Sequence, residues 1–186
     1  ILLGWPLPMT AVMLLWLNLV TDGLPALALS VDPNSEDVMK RPPKRSNEGI
    51  MSKPMLFTII FVSIFITAAV LGLFYWAEIH YEGLEIIQFT DKIQTIAFTS
   101  LVIMELVRIQ VIRSEYKLGI FSNKWLVYAL LSSIILQMIV IYTPIKLFFG
   151  TTALSIIDWI AILIATGGVV LLSLGANSIR KRINWK

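Results

Sequence analysis

Apolar residues come in blocks along this chain. Five run roughly 9–29, 55–77, 93–112, 125–142 and 156–177. Each is close to the ~20 residues that a helix rising ~1.5 Å per residue needs to cross a hydrocarbon core. The pattern predicts an all-α fold: a polytopic membrane bundle of five transmembrane helices forming one membrane domain. The connecting stretches are an outer loop end at 1–8, cytosolic loops at 30–54 and 113–124, outer loops at 78–92 and 143–155, and a cytosolic tail at 178–186. The first, third and fifth spans run parallel to one another, the second and fourth antiparallel.

Polar positions orient the bundle. All but Lys92 and Lys146 of the 15 Lys and Arg residues flank the membrane on one side. The positive-inside rule makes that side cytosolic, together with the C-terminus. Tyr75, Trp76, Trp125, Tyr128, Tyr142 and Trp159 stand near span ends, where amphipathic rings favour the headgroup layer. The longest loop carries Asp32-Pro33-Asn34 and Lys40-Arg41-Pro42-Pro43-Lys44-Arg45. Its proline pair predicts extended backbone on the cytosolic surface. Gly72, Gly167, Gly168 and Gly175 are expected where helices approach closely.

Composition narrows the chemistry. The 186 residues are 57% hydrophobic and 15% charged, with mean hydropathy +0.80, which is membrane-protein usage. The absence of cysteine excludes disulfides, a thiol nucleophile and Cys-based metal sites. His80 is the single histidine and reads as a solvated loop residue. A net charge of +3, with no basic stripe of interleaved aromatics outside the loops, calls for no nucleic-acid partner. Phosphate loops, nucleophile elbows and Ser/His/Asp arrangements are missing. The chain opens Ile1-Leu2-Leu3-Gly4-Trp5-Pro6 without the pattern of a signal peptide, and reads as a piece of a longer polypeptide.

One stretch breaks the apolar pattern where it is most costly. Asn18-Leu19-Val20-Thr21-Asp22-Gly23-Leu24-Pro25 lies near the middle of the first span. An Asp there costs roughly 2.5–3.5 kcal/mol on insertion scales and marks a functional site by default. Pro25 has no N–H, so the Thr21 carbonyl loses its helical partner, and Gly23 lets the backbone leave helical geometry. The span is therefore expected to be unwound near its middle. Asn18 and Asp22, four apart, share a helix face. The carboxylate, amide, hydroxyl and freed carbonyls are oxygen ligands suited to a hard cation.

A second acid, Glu105, lies in the third span. Counted from Met9 and Ile93, Asp22 and Glu105 stand at nearly equal depth, roughly 18–20 Å in at ~1.5 Å per residue. Glu105 reads either as a further ligand or as the i,i+3 partner of Arg108. Thr58, Ser63, Thr67, Ser132 and Ser133 read as helix-packing or back-bonded hydroxyls. Gln137 reads as an interhelical donor, and Asp158 as an interfacial cap.

The string Trp16-Leu17-Asn18-Leu19-Val20-Thr21-Asp22-Gly23-Leu24-Pro25-Ala26 resembles the sixth transmembrane helix of calcium-transporting P-type ATPases of the sarco/endoplasmic reticulum class. Similarity continues at Arg41-Pro42-Pro43, Glu105, Tyr142-Thr143-Pro144 and from Ala153-Leu154 to Asp158-Trp159. The resemblance covers the whole chain, which corresponds to helices six to ten of a ten-helix pump. It implies that Asn18 and Asp22 line one Ca2+ site and that Thr21, Asp22 and Glu105 line the other. The plasma-membrane class departs at the threonine and the glutamate, and this chain keeps both. Arg108 falls outside the family pattern.

By the same resemblance, Ca2+ is the transported ion, exchanged for protons. ATP and Mg2+ belong to cytosolic domains absent from this chain, and the Asp32–Arg45 stretch couples them to the ion site. The partners implied are the bilayer, the pump's N-terminal helices and its cytosolic domains. The 186 residues alone should neither hydrolyse ATP nor hold Ca2+ tightly. A multi-pass protein of a prokaryotic cell membrane or an internal membrane is expected. The alternatives are the same pump carrying Na+, H+ or Mn2+, and a channel or secondary-transporter fragment. Secondary transporters also break helices at the midplane, but usually show repeats, and none is present.

Overall fold

The structure is a computed structural model that describes residues 7–33, 53–116 and 118–182. Residues 1–6, most of the 30–54 loop, Lys117 and the last residues of the tail lie outside the described part, and so does Arg41-Pro42-Pro43. All described elements are helical. The first span is α1 (Ala11–Asn18), a π-helical turn (Leu19–Gly23) and α2 (Leu24–Leu29) in direct succession. Then come α3 (Lys53–His80), α4 (Ile86–Glu115), α5 (Lys124–Tyr142), the single-turn α6 (Lys146–Phe149) and α7 (Ile156–Arg182). Five segments, of 19 to 30 residues, are long and apolar enough to cross a membrane.

Helices α1, α5 and α7 start where polar side chains supply missing acceptors. Thr10 Oγ1 accepts from Met13 N at 3.3 Å, and Asn123 Oδ1 from Leu126 N at 3.1 Å. Ser155 and Asp158 form a reciprocal capping box on α7. Asp158 Oδ2 accepts from Ser155 N at 2.6 Å, and Ser155 Oγ accepts from Asp158 N at 3.4 Å. The 143–155 loop is partly helical: α6 stops at Gly150, whose φ of +65° is the left-handed cap that glycine adopts without strain.

Helix α4 is the hub. Half of its apolar window is buried, against 22–28% in the other spans. One core cluster packs it against α3 and α7 through Val62, Leu73, Phe74, Ile96, Met104 and Ile162. A second packs its other side against the first span and α5 through Met13, Val20, Phe98, Val102, Leu106 and Val140. This hub is also rich in buried polar groups, among them Lys92, Thr95, Thr99, Ser100 and Arg113. A helix surrounded by protein can carry them because partners exist to satisfy them.

The expected close approaches at Gly72, Gly167, Gly168 and Gly175 are not made. No neighbouring atom lies within 4 Å of where a Cβ would stand on any of them. The bundle is instead tied by hydrogen bonds. Gln137 acts as expected, donating Nε2 to Thr99 Oγ1 at 3.2 Å while its Oε1 accepts from Trp16 Nε1 at 3.2 Å. His80, exposed at the end of α3, stacks on Trp76 at 5.0 Å between ring centres.

Where α3 ends and α4 and α7 begin, Asp158 is more than a cap. It is fully buried, 2.6 Å from Lys92 Nζ, and also accepts from Tyr81 Oη at 2.7 Å. Lys92 donates further to the Ala153 carbonyl at 2.9 Å. Burial, reinforced by the neighbouring Asp158 carboxylate and opposed by Ser155, pushes the Tyr81 phenol above its ordinary range.

Candidate functional site

The first span loosens where Pro25 cannot donate to the Thr21 carbonyl. The expected unwinding takes a milder form. The five residues Leu19–Gly23 widen into a π turn, and the flanking Asn18 and Leu24 keep helical dihedrals. A π turn accommodates one residue more than an α turn, and such turns recur at functional sites. The irregular backbone is held from outside: Ser133 Oγ on α5 donates to the Val20 carbonyl at 2.9 Å. Sequence reasoning classed Ser133 with ordinary packing hydroxyls, since nothing local shows which carbonyl it will meet.

The π turn sorts its side chains between two faces. Val20 and Thr21 are buried toward α4 and α5, and the Thr21 hydroxyl donates back to the Leu17 carbonyl at 2.9 Å. Asn18 and Asp22 are exposed on the opposite face, beside Leu15 and Leu19, which are 72% and 61% exposed. Among the described residues, no hydrogen bond or ion pair reaches the Asp22 carboxylate. Carboxylates at mid-span in membrane helices almost always face protein or a watery cavity.

Glu105 stands on α4 next to Leu106, which packs in the cluster around Val20. Its carboxylate lies 3.6 Å from Arg108 Nη1, with side chains 34% and 28% exposed respectively. No hydrogen bond joins Glu105 to Asn18, Thr21 or Asp22. The structure thus places Asn18 and Asp22 on one face, turns Thr21 inward beside them, and sets Glu105 on the adjoining helix against a cation. Among the described residues, no three acidic or histidine side chains gather as a closed metal site. A cavity of about 260 Å³ between α3, α4 and α7 is lined by Met104, Arg108, Glu115 and Asn177, and includes none of Asn18, Thr21 and Asp22.

Just past α2, Asp32 binds the Arg113 guanidinium side-on, Nε to Oδ2 at 3.0 Å and Nη2 to Oδ1 at 2.9 Å. Burial pushes the Asp32 carboxyl up. The Arg113 and Asn123 hydrogen bonds, with the Arg113 charge, outweigh it and hold the group below the ordinary aspartate value. The sequence marks Arg113 only as a basic flank and Asp32 only as the start of the Asp32–Arg45 stretch, and pairs neither with the other.

Comparison with known proteins converges on one group. The family described as cation transporting ATPase, C-terminus, matches residues 6–183. The chain is similar to the calcium-transporting ATPase of Bacillus subtilis (strain 168), 36% identical over 166 residues that take in 87% of this chain and 18% of the relative. It is 37% identical to calcium-transporting ATPase 1 of Bacillus cereus (strain ATCC 10987 / NRS 248) over 189 residues, 94% of this chain and 20% of the relative. It is 33% identical to the calcium-transporting ATPase type 2C member 1 of Mus musculus over 177 residues, 92% of this chain and 19% of the relative. The chain spans about a fifth of the length of these relatives.

Proposed function

This chain belongs to the family of cation-transporting ATPase C-terminal regions, and on that premise we propose that it forms the C-terminal membrane half of an ATP-driven calcium pump. One observation carries the proposal. Asn18 and Asp22 sit side by side at mid-span on the uncovered face of a π-broken membrane helix. Polar ligands presented there suit a cation held jointly with helices from the rest of the protein.

Asn18 and Asp22 supply an amide and a carboxylate oxygen to one ion. Thr21, Asp22 and Glu105 supply a hydroxyl and two carboxylates toward a second. Hard oxygen donors at flexible spacing suit Ca2+, which takes 6–8 of them. The remaining ligands come from the part of the pump that this chain lacks. ATP-driven phosphorylation elsewhere in the protein alternates the site between the two membrane faces, and each carboxylate exchanges Ca2+ for protons as its surroundings change. The cytosolic C-terminus rests on the Lys and Arg bias of the flanks. By themselves the 186 residues, without an Asp-Lys-Thr-Gly phosphorylation motif, hydrolyse no ATP and bind Ca2+ weakly.

The Glu105–Arg108 ion pair at 3.6 Å favours a second reading of the stoichiometry. In it the guanidinium neutralises Glu105, and the pump carries one ion per cycle. Counting Ca2+ transported per ATP separates the two.

The whole proposal is tested in the full-length protein with Asp22→Asn. Ca2+-dependent phosphorylation from ATP should be lost while phosphorylation from inorganic phosphate persists. Retained Ca2+ activation removes Asp22 from the ion site. A panel of Ca2+, Mn2+, Na+ and H+ as activators identifies the cargo.

A further inference from the structure

The cytosolic end of the first span is tied to two other helices at a single buried node. Ser30 ends α2, its Oγ donating to the Leu27 carbonyl at 2.7 Å. Two residues on, the Asp32 carboxylate meets the side-on guanidinium fork of Arg113, from the last turn of α4. Arg113 is 3% exposed. Its other N–H groups donate to Gln110 Oε1 at 3.0 Å, the Gly119 carbonyl at 3.4 Å and Ser122 Oγ at 2.7 Å. Asn123 completes the node. Its Nδ2 donates to Asp32 Oδ1 at 2.9 Å and to the Ala28 carbonyl at 2.8 Å, while its Oδ1 accepts from Leu126 N at the start of α5.

This arrangement is too fully bonded for a surface ion pair. A planar fork on a carboxylate fixes direction as well as distance. With the remaining donors also engaged, the guanidinium cannot swing without breaking several bonds at once. The bond to Ala28 adds a shorter, interhelical donor to a last-turn carbonyl that otherwise accepts a backbone N–H from Val31 only at 3.4 Å. The node therefore fastens together the end of α2, the end of α4 and the beginning of α5.

Its position relative to the polar residues gives it a function. Asp22 and Asp32 bracket the short rigid α2. Glu105 and Arg113 bracket about two turns near the end of α4, roughly 12 Å at ~1.5 Å per residue. Each carboxylate is thus linked to the same node by a short helical lever. A displacement applied to the chain at Asp32 is passed to α4 as well as to α2.

We infer that Asp32 and Arg113, with Asn123, are positioning residues that make the Asp22 helix and the Glu105 helix move as one unit. This rests on the calcium-pump reading. The pair touches no ion. It sets the spacing of the two carboxylates and keeps that spacing when the cytosolic side of the protein moves.

The test uses the full-length protein with Arg113→Gln, Arg113→Lys, Asp32→Asn, Asn123→Ala and the exchange of Asp32→Arg with Arg113→Asp. Phosphorylation from inorganic phosphate without Ca2+ reports folding, and the Ca2+ concentration for half-maximal phosphorylation from ATP reports positioning. Arg113→Gln should keep the first and raise the second roughly 5–150-fold, the span of typical coupling between sites. Arg113→Lys, which keeps the charge and loses the fork, should fall between Gln and wild type. The exchanged pair should recover part of the loss. Unchanged Ca2+ dependence in Arg113→Gln overturns the inference. Should Arg113→Gln fail to fold, Arg113→Lys and Asn123→Ala decide in the same way. Asp22→Asn run alongside separates the two failures. If Asp22→Asn leaves Ca2+ dependence intact, the pump site is wrong; if Asp22→Asn abolishes it and the node variants do not shift it, only the node is wrong.

Discussion

Two acidic residues of this bundle stand in opposite circumstances. Asp158, where α3 ends and α4 and α7 begin, is fully buried and satisfied by Lys92, Tyr81 and Ser155. Asp22, in the π turn of the first span, is exposed and has no hydrogen-bond or ion partner among the described residues. The first charge is completed by its own chain and acts on architecture. The second sits at a depth where a carboxylate is costly, yet the chain supplies only its neighbours Asn18 and Thr21. A group left incomplete at such cost suits a ligand that arrives, which is why we propose the cation site at Asp22 and not at Asp158.

The contrast can be broken in order of effect. The largest belongs to Asp22→Asn in the full-length protein. Apparent Ca2+ affinity should fall on the order of 100-fold or more, because a charged ligand is removed from a hard-cation site. Stability in detergent should change little. An Asp22→Asn protein that unfolds at much lower temperature and still binds Ca2+ would place both acids in the architectural class.

Asp158→Asn should behave in reverse. It strands Lys92 in a buried site, and breaking such a pair costs about 3–5 kcal/mol. Thermal unfolding should register that loss while the Ca2+ dependence of the remaining folded protein is unchanged. The double variant Lys92→Met, Asp158→Asn should regain most of the stability, since no buried charge is then unpaired.

Ser133→Ala probes how the π turn is held. It leaves the Val20 carbonyl without its donor, and interhelical hydrogen bonds in membranes average about 0.6 kcal/mol. Urea or thermal unfolding should show a loss of that order. A loss as large as that of Asp158→Asn would show the irregular turn to be a major point of support.

The smallest effect is one of pH. Hydrogen bonds and charge hold the folded-state Asp32 carboxyl below its ordinary value of 3.8. Its contribution is therefore complete above the unfolded value and is lost as pH falls through the lower folded one. The stability difference between wild type and Asp32→Asn should be flat above about pH 4 and shrink as the pH drops further. A difference that grows on acidification would mean that Asp32 is not held ionised by Arg113.

Much of the molecule is legible without coordinates, because the bilayer imposes one strong rule. Backbone polar groups in lipid must bond within their own segment. An apolar block of about 20 residues is therefore a helix, whatever it packs against. By itself the sequence determined the five spans, the all-α class and the break in the first span from Pro25 and Gly23, and it singled out Asn18, Thr21 and Asp22 as candidates for the proposed ion site. The Asn-to-Pro string also determined the family.

Tertiary structure decided what depends on partners distant in sequence. The Asp32–Arg113 node closes over 81 positions, and the Lys92 bond to Ala153 over 61. Lysine or arginine in a span flank looks the same whether it points to water or folds inward onto a carboxylate. Only packing showed that Ser133 caps an irregular carbonyl, that the four span glycines do not sit at close contacts, and that the break is a π turn instead of an open coil. The physical reason is common to these cases. Burial and local geometry write themselves into runs of residue type, whereas the pairing of polar groups depends on which helix faces which.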